Sequence, residues 1–366
     1  MAGIAGPARD DRAEEHDPAE VREVARGIAT AVAPEGGLTD VQATLLEAIA
    51  RALTGVDVDY RALEPLDAAG LAAVLEGHDL GYRRRIVHHM VLGELMLKPL
   101  PTEVALRVAE YARALGVDDH FVRVARRYAQ GAYGLAWKDL RRSGFVDHAK
   151  EVDPALLHAG IRVTDPFLSP GPDPAVEARW IAFRDLAPGT LGRAVVDMYD
   201  GRGFALPGTE QGASPYLAQH DFGHVLADYG TDLKGELEVF AFVGRADPDP
   251  KGFAWLATLV GLFETGYVAD TGFFRRDVQE RSLQAPGMQH RVADAIARGK
   301  LVAERYGIDL FEVDYHALAD RPVDEVRELL AIRPKSEAAV RAGSPGLLDP
   351  AGMSQSQRRR VEARGS

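Results

Sequence analysis

The 366-residue sequence contains no cysteine. That absence removes disulfides, thiolate metal ligands and a cysteine nucleophile together. It holds no run of the roughly 18 apolar residues that a membrane-crossing helix needs. Positive charge is also in deficit, with 43 Lys and Arg against 55 Asp and Glu and a formal net charge of −12. Phosphate-backbone binding needs clustered Lys and Arg, so nucleic acid is not an expected partner. The opening residues lack a basic stretch followed by an apolar core, so no secretory signal is read there, and a cytoplasmic protein is expected.

What is present suits a large buried core. The apolar fraction is 46% and the charged fraction 27%, ordinary proportions for a folded soluble chain. The length suggests two domains. Residues 1–36 are polar and acidic and read as a mobile tail with one short helix, Pro18 to Val32. Residues 37–135 read as a small helical domain. Thr39 and Asp40 cap a helix whose apolar positions Val41, Leu45, Leu46, Ile49 and Leu53 recur at helical spacing. Helices over Ala69–Glu76, Tyr82–Leu97, Thr102–Leu115 and Asp119–Tyr128 follow between Gly and Pro punctuation. His88 and His89 lie about 100° apart on their helix, so one buried and one exposed histidine are expected rather than a ligand pair. Helix number and the Leu115-Gly116-Val117-Asp118 turn resemble the small TerB-like domains of tellurite-resistance proteins.

Residues 136–175 form a connector rich in Pro and Gly, and residues 176–335 a second helical domain. The expected fold class is therefore all-α, two helical domains and a connector, with residues 336–366 a solvated tail carrying Arg358-Arg359-Arg360. Phe253 to Phe263 is apolar nearly all round. It is too short to span a membrane, and reads as a core helix or as a greasy wall for a lipid.

The second domain is organised around His220-Asp221-Phe222-Gly223-His224, followed after eleven residues by Glu236. Ser214-Pro215 starts the helix, with Ser as N-cap and Pro at the first helical position. Side chains four apart share a helix face, so His220 and His224 point the same way, with Asp221 at the edge of that face. Gly230 is read as the C′ residue that ends this helix. Thr231-Asp232 caps the next, which brings Glu236 back to the site. Two neutral imidazoles and two carboxylates balance a divalent ion. Without sulfur they suit zinc first, with manganese, iron(II) or cobalt as alternatives. Asp232 and Glu238 are the nearest further carboxylates; Asp232 is the candidate for proton transfer, with capping as its other reading. Gly223 inside the helix costs roughly 1 kcal/mol relative to Ala, which a close crossing by another backbone or a ligand would explain.

The spacing His220-Asp221-x-x-His224-x11-Glu236 resembles the metal motif of the ubiquinone (coenzyme Q) biosynthesis family. Pro188-Gly189-Thr190-Leu191-Gly192 is similar to that family's upstream turn, Arg298-Gly299 to its "RG" helix, and Pro322 through Arg327 to its closing helix. The resemblance covers about residues 176–333. It implies an all-helical fold, a divalent metal, peripheral work at the inner face of a membrane, and a polyprenylated aromatic ring or other isoprenoid lipid as ligand. It further implies a role in ring decarboxylation and hydroxylation, or in organising the other quinone-biosynthesis enzymes, and is compatible with a homo-oligomer. Phe253, Trp255, Phe263 and Arg298 are the substrate-contact candidates on this reading. The chain departs from the family before the motif, where Tyr216-Leu217-Ala218-Gln219 replaces basic residues, and after it, where Glu238 to Phe242 replaces a Lys-Trp pair. Two alternatives stay open: an HD-type metal phosphohydrolase, which needs further ligands that only His158 and Asp270 offer, and a non-catalytic lipid-binding scaffold whose metal braces two helices.

Overall fold

A computed structural model of the chain describes residues 16–130, 156–158, 171–246, 282–307 and 309–365. Among the described residues there are fourteen α-helices and no strand, so the fold is all-α. The helices are α1 Pro18–Val32, α2 Asp40–Thr54, α3 Ala68–Val74, α4 Leu80–Leu95, α5 Thr102–Ala114, α6 His120–Ala129 and α7 Pro174–Ala182. They continue as α8 Leu191–Arg202, α9 Pro215–Ala227, α10 Leu233–Ala246, α11 Met288–Tyr306, α12 Val323–Leu329, α13 Glu337–Arg341 and α14 Gln355–Gly365.

Local chemistry accounts for most boundaries. Thr39 and Gln42 form a reciprocal capping box at the start of α2, and Gly55 ends it in the left-handed region at φ 73°. The Ser214 hydroxyl accepts from the Leu217 N–H at 3.1 Å, with Pro215 at the first position of α9. The end of α9 differs from the expectation. The helix stops at Ala227 because Asp228 itself turns left-handed, at φ 59°. Gly230 is needed for a different reason: a Cβ there would lie 2.7 Å from the Gly352 Cα.

Both segments read as tails contribute to the packed structure. Val21, Val24, Ile28 and Val32 of α1 are buried against α3, α4 and α5. The amphipathic pattern that predicts the helix Pro18 to Val32 is also what docks it. Near the other end, the Gly352 carbonyl accepts from the Thr231 and Asp232 N–H groups at 2.8 and 2.9 Å. Arg202 donates to the Leu347 and Asp349 carbonyls, and α14 packs on α8. The stretch from Leu347 to Gln357 is therefore latched onto the α9–α10 junction.

The two helical blocks share one contiguous core. α2 lies along α11, and the Lys300 ammonium donates to the Leu53 carbonyl at 2.6 Å. The histidine pair on α4 also departs from expectation, since both His88 and His89 are buried. Every residue of α4 from Ile86 to Leu95 is buried because α1, α2, α5 and α6 surround it. A 100° divergence then leads from one packed face to another, not from core to water.

Candidate metal centre

Helix α9 carries His220, Asp221 and His224, and all thirteen of its residues are buried. Its other faces are fixed by aromatic stacking: Tyr216 on Phe311 at 4.9 Å and Phe222 on Tyr315 at 4.6 Å. Gln219 donates to the Phe311 and Val313 carbonyls at 3.1 and 3.0 Å. Tyr216 and Gln219, which depart from the resembling family, thus anchor the helix here. Helix α10 crosses closely at Gly223, where a Cβ would sit 3.1 Å from Val239 Cγ2 and 3.3 Å from Val243 Cγ2. Gly223 is explained by that crossing.

The crossing brings Glu236 to the two histidines. Its carboxylate spans them, with Oε2 3.4 Å from His220 Nε2 and Oε1 3.5 Å from His224 Nε2. Asp221 Oδ1 is 3.6 Å from His220 Nε2. One ligand atom from each of His220, Asp221 and His224 falls within 4.8 Å of the others, and Glu236 joins this group through both imidazoles. The three residues on α9 thus lie together, and Glu236 stands within ion-pair distance of the two imidazoles.

The atoms around the cluster orient it. His220 Nδ1 donates to the Leu217 carbonyl, which leaves the Nε2 lone pair facing the site, as in histidines that bind metals. The Tyr199 hydroxyl donates to Asp221 Oδ2 and holds Oδ1 toward His220. The His220 ring stacks on Phe240 at 5.2 Å, one turn beyond Glu236. His224 is fully buried, and among the described residues neither of its ring nitrogens has a hydrogen-bond partner, Glu236 Oε1 standing off Nε2 at 3.5 Å. A buried polar atom left in that state is costly, and a bound cation at Nε2 would relieve it.

The charges point the same way. Burial disfavours a charged His220, but Asp221 and Glu236 outweigh it and lift its pKa to about 9. Burial pushes the Glu236 carboxyl up, while His224 and His220 pull it down further, to about 2. Burial raises the Asp221 carboxyl above its ordinary value, against the pull of His220 and His224. The site attracts positive charge, supplied by a proton when nothing else is bound. Two carboxylates, two imidazoles and no sulfur fit a borderline divalent ion.

The carbonyls at the end of α9 are clamped by residues from distant parts of the chain. Arg327 donates to the Val225 and Leu226 carbonyls at 3.1 and 2.9 Å. Arg298 donates to the Ala227 carbonyl at 3.0 Å and Lys335 to that of Asp228 at 2.7 Å. Cations at a helix C-terminus also oppose its dipole. This corrects the substrate-contact role expected for Arg298: the residue is 4% exposed, and it also donates to the Tyr229 hydroxyl at 2.6 Å and the Arg333 carbonyl at 2.8 Å. Gly299 beside it is required because a Cβ would lie 2.2 Å from the Phe242 carbonyl oxygen. The Pro188 to Gly192 turn docks on the segment before α12, with Leu191 N–H donating to the Arg321 carbonyl at 2.9 Å and Gly192 N–H to that of Ala319 at 2.8 Å. These flanking motifs, read in sequence as marks of function, act here as the frame around α9.

Other candidates are engaged elsewhere. Asp232, the proton-transfer candidate, caps α10 by accepting from the Gly235 N–H at 2.9 Å. Glu238 is buried and accepts from Arg291 at 2.6 Å. His158, the phosphohydrolase candidate, pairs with Asp314 at 2.9 Å. Asp270, Phe253, Trp255 and Phe263 lie outside the described residues. Tyr199, Phe240 and Lys335 carry no sequence signal, because each reaches the site or its helix only through tertiary packing. No family model, curated protein or solved structure matches the chain.

Proposed function

We propose that His220, Asp221, His224 and Glu236 bind one divalent metal ion, and that the protein works in the biosynthesis of a ubiquinone-like quinone. The observation that carries the metal reading is the convergence of Glu236 on two buried imidazoles, one of which has no hydrogen-bond partner on either nitrogen among the described residues. Zinc is the first candidate, with manganese, iron and cobalt as alternatives. When bound, such an ion supplies Lewis-acid polarisation of a ring carboxylate or phenolate. Tyr199 fixes Asp221, and the Leu217 carbonyl fixes the His220 tautomer.

The side chains of Glu236 and His220 retain 15% and 9% exposure against 1% for His224. That opening favours a reactive centre over a closed structural one, since a catalytic ion needs a free position. The substrate class, a polyprenylated aromatic acid undergoing ring decarboxylation and hydroxylation, rests on the motif spacing and its ordered flanking matches. Organisation of partner enzymes at the inner membrane face belongs to the same reading.

The test is elemental analysis of natively purified protein alongside His220→Ala and Glu236→Ala, with mass spectrometry of extracted lipid and an assay of carboxylate loss from a prenylated hydroxybenzoate. About one equivalent of metal, lost in both variants and accompanied by carboxylate loss, is the expected result. Metal-free protein from chelator-free preparation would overturn the metal reading. Full metal occupancy with no turnover or binding of the prenylated acid would overturn the substrate reading.

A further inference from the structure

A cavity of about 1390 Å³ lies between α1, α2 and α4 on one side and α10, α11 and α12 on the other. It exceeds the ~300–1,000 Å³ of a typical small-molecule site. Its two walls differ in chemistry. Val21, Val24, Ile28, Ile49, Leu53 and Ile86 present hydrocarbon, interrupted by the polar groups of Thr54, Tyr60 and Tyr82. The opposite wall is cationic: the full lining has eight Lys and Arg (85, 245, 298, 300, 305, 327, 333, 335) against four Asp and Glu (228, 304, 324, 328). This local excess stands in a chain whose net charge is −12.

Most of the acids already face a base. Asp324 pairs with Arg327 at 2.9 Å, Asp228 with Lys335 at 3.3 Å and Glu304 with Lys300 at 3.4 Å. Arg305 and Arg333 are exposed at this cavity, and Arg305 rests on the Tyr306 ring at 5.7 Å. The positive field reaches the buried His89 on the cavity wall: burial first, then His88, Arg85 and Arg245, hold its pKa down at about 3.

We propose that this cavity binds an anionic amphiphile, its apolar chain along the α1–α2–α4 wall and its phosphate or carboxylate head at Arg305 and Arg333. The site is separate from the metal centre, since none of His220, Asp221, His224 and Glu236 lines it. Only Leu226 and Asp228, at the end of α9, reach it.

Isothermal titration calorimetry of the full chain with decyl phosphate and with decanoate, both below their micellar concentrations, tests this. Saturable binding of at least one is expected, with decanol at least tenfold weaker and no binding of decyltrimethylammonium or inorganic phosphate. The double variant Arg305→Glu/Arg333→Glu, at exposed positions, is expected to weaken binding at least tenfold with an unchanged melting temperature. Leu53→Trp, which fills the apolar end, is expected to abolish it. His220→Ala is expected to retain it, which keeps this inference distinct from the metal reading. No saturable binding of either anion, equal affinity for the cationic detergent, or binding unaffected by both sets of cavity substitutions would each overturn it.

Discussion

His220 and His89 are both buried histidines on helices packed on every side, yet their pKa values move in opposite directions, to about 9 and to about 3. Burial lowers both by disfavouring the charged ring. The difference comes from the sign of the neighbours. Around His220 stand Asp221 and Glu236; around His89 stand His88, Arg85 and Arg245. His88 makes a third case, held by Asp119 at 2.8 Å. A histidine pair on a buried helix therefore signals a cation site only when a neighbouring element delivers carboxylate to both rings. Glu236 on α10 does so, and the α4 surroundings of His89 do the reverse.

The strongest test of that contrast removes the carboxylate. Glu236→Ala should reduce metal affinity by at least about 100-fold, since ligand loss exceeds the 10–100-fold range of supporting partners. His89→Gln should leave metal content at the wild-type level; competition with a chelating dye measures both.

The clamp on α9 comes next. Arg298→Ala leaves the Ala227 carbonyl and the Tyr229 hydroxyl without this donor in a buried setting, and should destabilise the fold by about 2–4 kcal/mol. Arg298→Lys should recover only part of this, because an ammonium cannot reproduce the planar fork. Urea midpoints report both.

Tyr199→Phe probes the support of Asp221 alone. Metal affinity should fall about 10–100-fold, with a near-native circular dichroism spectrum. An unchanged affinity would show that Asp221 needs no such anchor.

The pH response of the metal-free protein should separate the two histidines in sign. The folded pKa of His220 is raised above its ordinary value of 6.5, so its stabilisation is complete below that pH and is lost as pH rises through about 9. The folded pKa of His89 is lowered to about 3. The unfolded chain then takes up a proton that the folded chain refuses, and stability falls as pH drops from 6.5 toward 3. Glu236, held at about 2, contributes above its ordinary carboxylate pKa and loses that contribution as pH falls toward 2. His220→Gln should flatten the alkaline limb of a stability profile, and His89→Gln the limb between pH 6.5 and 3. The smallest effect is expected from Arg341→Ala, which breaks an exposed pair with Glu337 and should change stability by less than about 0.5 kcal/mol.

The sequence by itself determined what is local. Caps and periodicity set α1, α2 and the start of α9, because a helix N-terminus is satisfied within three residues. The spacing of His220, Asp221 and His224 put three ligands on or beside one helix face, because helix geometry is fixed. The fold class followed from the same patterns. Only the tertiary structure decided the rest. Glu236 reaches both imidazoles because Gly223 lets α10 approach. Asp232 becomes a cap, and Arg298 a clamp on a helix end some seventy residues earlier in the chain. The N-terminal stretch joins the core because its apolar face finds partners far away in sequence, and the C-terminal one is held by hydrogen bonds from Thr231, Asp232 and Arg202. Burial on every side of α4 and α9 is a property of neighbours, and a single chain position carries no record of which neighbours it will meet. The sign of a histidine's shift, and the pairing of an apolar wall with a cationic one, were therefore settled by packing alone.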